Sequence, residues 1–175
     1  MKVIIVAAMT ADGFIGNSTN HRSTAWTNKE DRYLFTHLVK DANNMVMGLT
    51  TFMTIAQAAP GVFNKTMPGR RLLVYTHNPD KVSGYQNVEA VNEDPATLVK
   101  QLESEGVKTL AVCGGSQIYT AFMRTNLVNE LYIDMQATLF GRGVPLFNEP
   151  LTNKITLHDS KPLGPNNILL HYTVN

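Results

Sequence analysis

The segment TLAVCGGSQIYTAF, Thr109 to Phe122, is the stretch on which the fold turns. Thr109 to Cys113 is apolar almost throughout, the pattern of a short strand covered on both faces. Gly114 and Gly115 follow, and from Ser116 onward a helical pattern runs to about Asn126. Glycines at such a junction let a ligand approach the backbone, while the free N–H groups of the helix start face it. The pattern is not GxGxxG, and two adjacent glycines also suit a plain tight connection. MVMGLTTF, Met45 to Phe52, repeats the arrangement: Gly48 follows a strand, and Thr50 and Thr51 supply hydroxyls at a helix start. Two such turns on one sheet point to a ligand with more than one phosphate, such as a dinucleotide, beyond the carboxyl ends of the strands.

The rest of the chain keeps the same alternation. KVIIVAAM (Lys2 to Met9), NNMVMG (Asn43 to Gly48), RRLLVYT (Arg70 to Thr76), VEAV (Val88 to Val91) and ELYIDMQA (Glu130 to Ala137) read as short strands. Helical patterns occupy about Asn28 to Lys40, Thr51 to Ala58, Pro95 to Gly106 and Ser116 to Asn126, the third with Asp94 as cap and Pro95 at its first position. This order predicts a largely parallel α/β sheet flanked by helices on both faces. TNKITLHDSKPL and NILLHYTV, joined at GPNN (Gly164 to Asn167), predict a C-terminal antiparallel hairpin. STNHRSTAW (Ser18 to Trp26) and AQAAPGVFNKTMPG (Ala56 to Gly69) are loops long enough to be functional.

A length of 175 residues corresponds to one domain, residues 1–175, with enough chain to bury its own core. The net charge of +1, from 15 basic and 14 acidic residues, leaves no electrostatic footprint for nucleic acid or an anionic membrane. Cys113 is the single cysteine, so an internal disulfide is excluded, and no thiol or histidine cluster has the spacing of a metal site. The N-terminal MKVIIVAAMTADG is rich in β-branched residues and reads as a strand rather than a signal peptide. No apolar run has the length of a bilayer span. A soluble protein of the reducing cytoplasm, monomeric or homodimeric, is expected. His37, His158 and His171 stand singly, and the methionines read as core filling.

One stretch resists this bland reading. In TAWTNKEDRYLFTHLV, Thr24 to Val39, Thr27 and Glu30 read as a capping box before a helix that carries Leu34, Phe35, Leu38 and Val39 inward. Asp31 lies three and four residues before Leu34 and Phe35 and shares their face. An ionised carboxylate there is costly without a partner. Either it favours the positive end of its helix, or it is an acid held in an apolar pocket to recognise or protonate a ligand.

IIVAAMTADGFIG, then Trp26, Asp31 and Phe35, then VMGLTTF, PGRRLLVYT, VCGGSQIYTAF and ELYIDMQA resemble, in order and spacing, the dihydrofolate reductase superfamily. That superfamily also contains the riboflavin-pathway pyrimidine reductases, which the tail TLFGRGVPLF (Thr138 to Phe147) resembles more. The resemblance implies NADPH-dependent reduction of 7,8-dihydrofolate to tetrahydrofolate, by hydride transfer from the nicotinamide to the pterin. A reductase of 5-amino-6-ribosylamino-uracil phosphate, a related reductase of unknown substrate, and a nucleotide-binding protein without catalysis are the alternatives.

Residue by residue, the resemblance makes Asp31 the catalytic acid and implies substrate contacts at Ala8, Asp31, Phe35, Arg70 and Tyr119. Arg70, in PGR (Pro68 to Arg70), would grip a substrate carboxylate with its planar fork. Ala8, Ile15 and Gly16 would border the nicotinamide, with a mobile closing loop beginning at Ile15 and Gly16. Gly48, Thr50, Thr51, Thr76, His77, Gly114, Gly115, Ser116, Gln117, Ile118 and Tyr119 complete the implied cofactor set. Leu49 stands where the family often carries an arginine for the 2′-phosphate, which leaves that contact to His77, Thr50 or Arg71. Asp134 replaces the threonine usually linked to the acid, and it either raises the pKa of Asp31 or points to solvent.

Overall fold

The computed structural model describes residues 1–59, 61–65 and 70–175, with the side chains of Asn64 and Lys65 excepted. Eight strands form one sheet in the order β5 (Val88–Val91), β4 (Arg71–Tyr75), β3 (Asn44–Gly48), β6 (Thr109–Val112), β1 (Lys2–Thr10), β7 (Glu130–Gln136), β10 (Asn167–Val174), β9 (Ile155–Gly164). The strands from β5 to β7 pair in parallel, and β10 and β9 add the antiparallel end. The expected mostly parallel sheet with a terminal hairpin is therefore the observed architecture.

Strand alternation divides the core into two layers. Val3, Ile5 and Ala7 of β1 point to the side of α4 (Pro95–Ser104) and α5 (Ser116–Arg124), where they meet Leu98, Leu102, Phe122 and Leu131. Ile4 and Val6 point to the side of α1 (Lys29–Ala42) and α2 (Leu49–Ala58), where they meet Val39, Met45, Phe52 and Ala56. Both layers are apolar because β1, β3 and β6 are covered on both faces.

Element boundaries differ from expectation where two local signals compete. Asn28 rather than Thr27 caps α1: its side chain accepts from the Asp31 N–H at 3.0 Å. Adjacent Thr and Asn are both good caps, and docking against the sheet selects one. α2 begins at Leu49, directly after Gly48, and α4 and α5 end two residues before their expected limits. Val62–Lys65, inside the expected loop, forms a short helix, α3. A two-stranded ribbon of β2 (Phe14–Gly16) and β8 (Val144–Pro145) was also absent from the sequence reading.

Candidate active site

The two glycine turns lie side by side, because β3 and β6 are neighbours. The Gly48 N–H donates to the Gly114 carbonyl at 2.8 Å. A Cβ on Gly115 would stand 3.3 Å from Thr51 Oγ1, and one on Gly48 would stand 3.2 Å from Ile118. Neither α2 nor α5 has a side-chain cap at its start, so their first N–H groups face outward unsatisfied. The Ser116 hydroxyl, on a residue only 7% exposed, has no hydrogen-bond partner among the described residues. Two uncapped helix starts, glycines in close approach and an orphaned buried hydroxyl fit a bound pyrophosphate. Thr76 follows Tyr75, the register partner of Gly48, so it and His77 stand at the same end of the sheet. The Thr76 hydroxyl accepts from the Asn78 N–H at 3.0 Å and donates to its carbonyl at 3.2 Å.

β1 pairs with β6 only as far as Ile5 opposite Val112, but pairs with β7 as far as Thr10 opposite Gln136. Beyond Ile5 the β6 side of β1 is therefore open. Tyr119 takes the first free acceptor there, donating to the Val6 carbonyl at 2.8 Å. Its ring lies under the Gly114 turn, only 4% exposed, and burial keeps the phenol neutral with its pKa well above the ordinary value. The Tyr119 hydroxyl is thus committed to backbone rather than free for a ligand. Ala8 stands in the open notch, with Asp134 as its neighbour in β7.

Asp134 points inward, not to solvent. It is 1% exposed, and Asp31, on the facing side of α1, is 9% exposed. The two carboxyl groups lie close enough for the charge on one to bear on the other. Asn167 Nδ2 donates to both Asp134 oxygens at 3.0 and 3.1 Å, and Gln136 Nε2 donates to Oδ2 at 2.5 Å. Asn167 also reaches the capping oxygen of Asn28 at 3.3 Å, which ties hairpin, strand and helix together. The Thr27 hydroxyl lies beside Asp31 without a hydrogen bond of standard geometry. Burial raises the Asp31 pKa against the opposing pull of Thr27, Asp134 and Arg32. Burial, then the Asp31 charge, push Asp134 up to about 7, against the donors Asn167 and Gln136. The acids titrate as a pair, and that pair holds a proton to near neutrality.

Phe35 packs on the same α1 layer, partly buried. Arg70, directly before β4, is partly exposed, while Pro68 and Gly69 of its motif lie outside the described residues. Arg71 is unavailable for a cofactor phosphate: it binds both Glu89 oxygens at 2.8 and 2.9 Å and also pairs with Glu105. Ile15 and Gly16 lie in the β2–β8 ribbon, and the irregular segment from Asn17 begins at its end. The Asp12 carboxylate accepts from the N–H groups of Phe140 and Gly141, and Trp26 packs edge-on to Phe140 with ring centres 5.3 Å apart. The segment TLFGRGVPLF thus anchors the 12–26 region at both Asp12 and Trp26. Asn28, Gln136, Asn167 and Asp12 were missed in the sequence. Gln136 alone had a signal, two residues beyond Asp134 on one strand face.

The sequence pattern of the RibD C-terminal domain matches residues 1–169. A putative riboflavin biosynthesis protein from Shewanella sp. PV-4 superposes with a TM-score of 0.82 at 20% identity, covering 100% of this chain and 99% of the other. The diaminohydroxyphosphoribosylaminopyrimidine deaminase/5-amino-6-(5-phosphoribosylamino)uracil reductase of Thermotoga maritima superposes with a TM-score of 0.69 at 15% identity, over 98% of this chain and 56% of that one. Dihydrofolate reductase from Enterococcus faecalis, complexed with NADP(H), gives a TM-score of 0.66 at 20% identity, over 99% and 96%. At these identities the structures establish a shared dihydrofolate reductase-like fold.

Proposed function

The chain belongs to the RibD C-terminal domain family, and from that premise we propose that it is an NADPH-dependent reductase of a phosphorylated ribosylamino-uracil. The observation that carries this reading is the Asp31–Asp134 pair, set beside the open edge of β1 and the two glycine turns. NADPH, when bound, supplies the hydride. The uncapped starts of α2 and α5, with Ser116 and Thr51, would hold its pyrophosphate. Ala8 and the Tyr119-backed turn would border the nicotinamide.

Reduction of a C=N bond needs a hydride on carbon and a proton on nitrogen. Asp31, ionised, accepts hydrogen bonds from the N–H edge of a uracil or pterin and orients it. In the uracil reading the hydride would go to the sugar carbon of the open-chain imine and the proton to its nitrogen, and the acid pair, which retains a proton near neutral pH, would supply that proton directly or through water. The 12–26 segment, held by Asp12 and Phe140, excludes water from the cleft.

Dihydrofolate, the main substrate expected from the resemblance, becomes the second reading. The interval from Trp26 through Asp31 to Phe35 favours it, whereas the family and the Thr138–Phe147 tail favour the uracil. The deciding experiment supplies purified protein and NADPH with ribosylamino-uracil phosphate or with dihydrofolate. Cofactor oxidation with the uracil, yielding a product heavier by two hydrogens, is the expected result. Turnover of dihydrofolate alone would promote the second reading, and turnover of neither would overturn both.

A further inference from the structure

Asn167, the first residue of β10, stands opposite Gln136 in the ladder with β7 and so shares the sheet face of Asp134, two residues before Gln136. The residue is buried. Its amide nitrogen serves three acceptors: Asp134 Oδ1 at 3.0 Å, Asp134 Oδ2 at 3.1 Å and Asn28 Oδ1 at 3.3 Å. That same Asn28 oxygen accepts the backbone N–H of Asp31 at 3.0 Å. A chain of neutral amides therefore runs from one acid to the other, through Asn167 and Asn28, and Asn167 is the link that the hairpin supplies. We propose that Asn167 is the positioning residue of the acid pair: from the turn of the terminal hairpin it fixes the Asp134 carboxyl relative to the cap of α1, and with it to Asp31. The proposal deepens the reductase reading of this site and rests on it.

Gln136 also donates to Asp134, but both residues belong to β7, so that bond holds the carboxyl to its own strand. Asn167 alone among the described residues bonds both Asp134 and the helix cap. Its place is enforced from behind. The strand ladders hold its backbone on both sides, and a Cβ on Gly164 would stand 2.9 Å from its Oδ1 and 3.4 Å from Glu30 of the first turn of α1. The amide nitrogen must face the acid, because the amide oxygen in its place would repel an ionised carboxyl. Hydrogen bonds from Asn167 and Gln136 favour the ionised form of Asp134, against burial and the Asp31 charge. The other charged or titratable groups nearby are otherwise engaged. Arg32 of α1 acts on Asp31, Glu30 faces Lys29, Tyr119 of α5 is bonded to backbone, and Tyr132 and His171 meet Glu130. From β1 the neighbour is the uncharged Ala8.

The test is a ¹³C NMR titration of the aspartate carboxyl carbons in the wild type and in Asn167→Leu, which keeps a side chain of similar size and removes the donor. Signals are assigned with Asp31→Asn and Asp134→Asn, and circular dichroism checks folding. Without the donor the ionised form of Asp134 is less favoured, so the upper titration of the pair should move up by about one pH unit. A merely structural role predicts the opposite sign: a loosened cleft admits water, and the titration falls toward the ordinary carboxylate range. Gly164→Ala, which crowds the amide from behind, should move it up by less. Asn167→Ser, smaller and too short to reach both acceptors, serves if Asn167→Leu does not fold. An unchanged or lowered titration would overturn the proposal. On the accepted substrate, the alkaline limb of kcat should shift in step while KM for NADPH stays, since the glycine turns are untouched. The titration needs no turnover. Its upward movement in a protein that reduces neither substrate would sink the reductase assignment and leave Asn167 in its role, whereas turnover with an unmoved titration would do the reverse.

Discussion

The Asp134 carboxyl meets the Asp31 carboxyl across the gap between β7 and α1, so that neither acid ionises without affecting the other. Asp134 reaches that position because strand alternation turns residues 132, 134 and 136 to the α1 side, and Asn167 and Gln136 then fix its oxygens. The cleft is thereby supplied with two interacting acids, one of which keeps its proton to near neutral pH.

Replacement of Asp31 tests the charge. Asp31→Asn should fold normally, since the capping bond from Asn28 is made to the backbone N–H of residue 31 and survives. Turnover near neutral pH should fall by about 10²-fold or more, the usual scale for a general acid–base group. Steady-state kinetics of the purified variant on the accepted substrate provide the check, and wild-type turnover would return Asp31 to a merely structural role.

Asp134 makes stability depend on pH. The folded protein keeps its proton up to about pH 7, whereas the unfolded chain releases it near 3.8. The associated stability is thus fully present below about pH 4 and is lost as pH rises through 7, by at most ~1.4 kcal/mol per pH unit. Asp134→Asn keeps an acceptor for Asn167 and has no proton to lose. Urea unfolding between pH 5 and 8 should show the variant gaining on the wild type as pH rises. Parallel curves would mean that Asp134 does not hold the proton.

Arg70 stands before β4, and its test concerns substrate rather than stability. A guanidinium that binds a remote anionic group contributes alike to ground and transition states. Arg70→Ala should therefore raise KM for ribosylamino-uracil phosphate or dihydrofolate by roughly 10-fold to 150-fold, matching about 1.5–3 kcal/mol for a charged hydrogen bond. kcat should change little, and dihydrobiopterin, which has no glutamate carboxylate, should be unaffected wherever it is turned over. An equal loss on all substrates would assign Arg70 to the fold or the cofactor.

Gly143 tests the pinning of the 12–26 segment. A Cβ there would overlap the Gly16 carbonyl oxygen, a backbone atom that cannot swing aside. Gly143→Ala should destabilise the protein by about 1–3 kcal/mol and expose the 12–26 region to limited proteolysis. An unchanged Tm and cleavage pattern would show that the β2–β8 ribbon does not hold this segment.

The sequence by itself determined the features whose chemistry is local. The apolar run into Gly114–Gly115, the Asp94–Pro95 start of α4 and the GPNN hinge of the terminal hairpin each place their cause within a few residues of their effect, and all were legible. Tertiary structure decided whatever depends on partners distant in the chain. Period-two alternation shows that Asp134 belongs to one strand face, but not that Asp31, Asn167 and Gln136 converge on it from a helix, a hairpin and the same strand. β2 and β8 are three and two residues long, too short to carry a period, and they pair because Asp12 holds the Phe140–Gly141 backbone and Gly143 lacks a side chain. Arg71 reads in the sequence as available for a cofactor phosphate, until folding brings Glu89 and Glu105 beside it. Charges act through distance in space, and only the folded chain sets that distance.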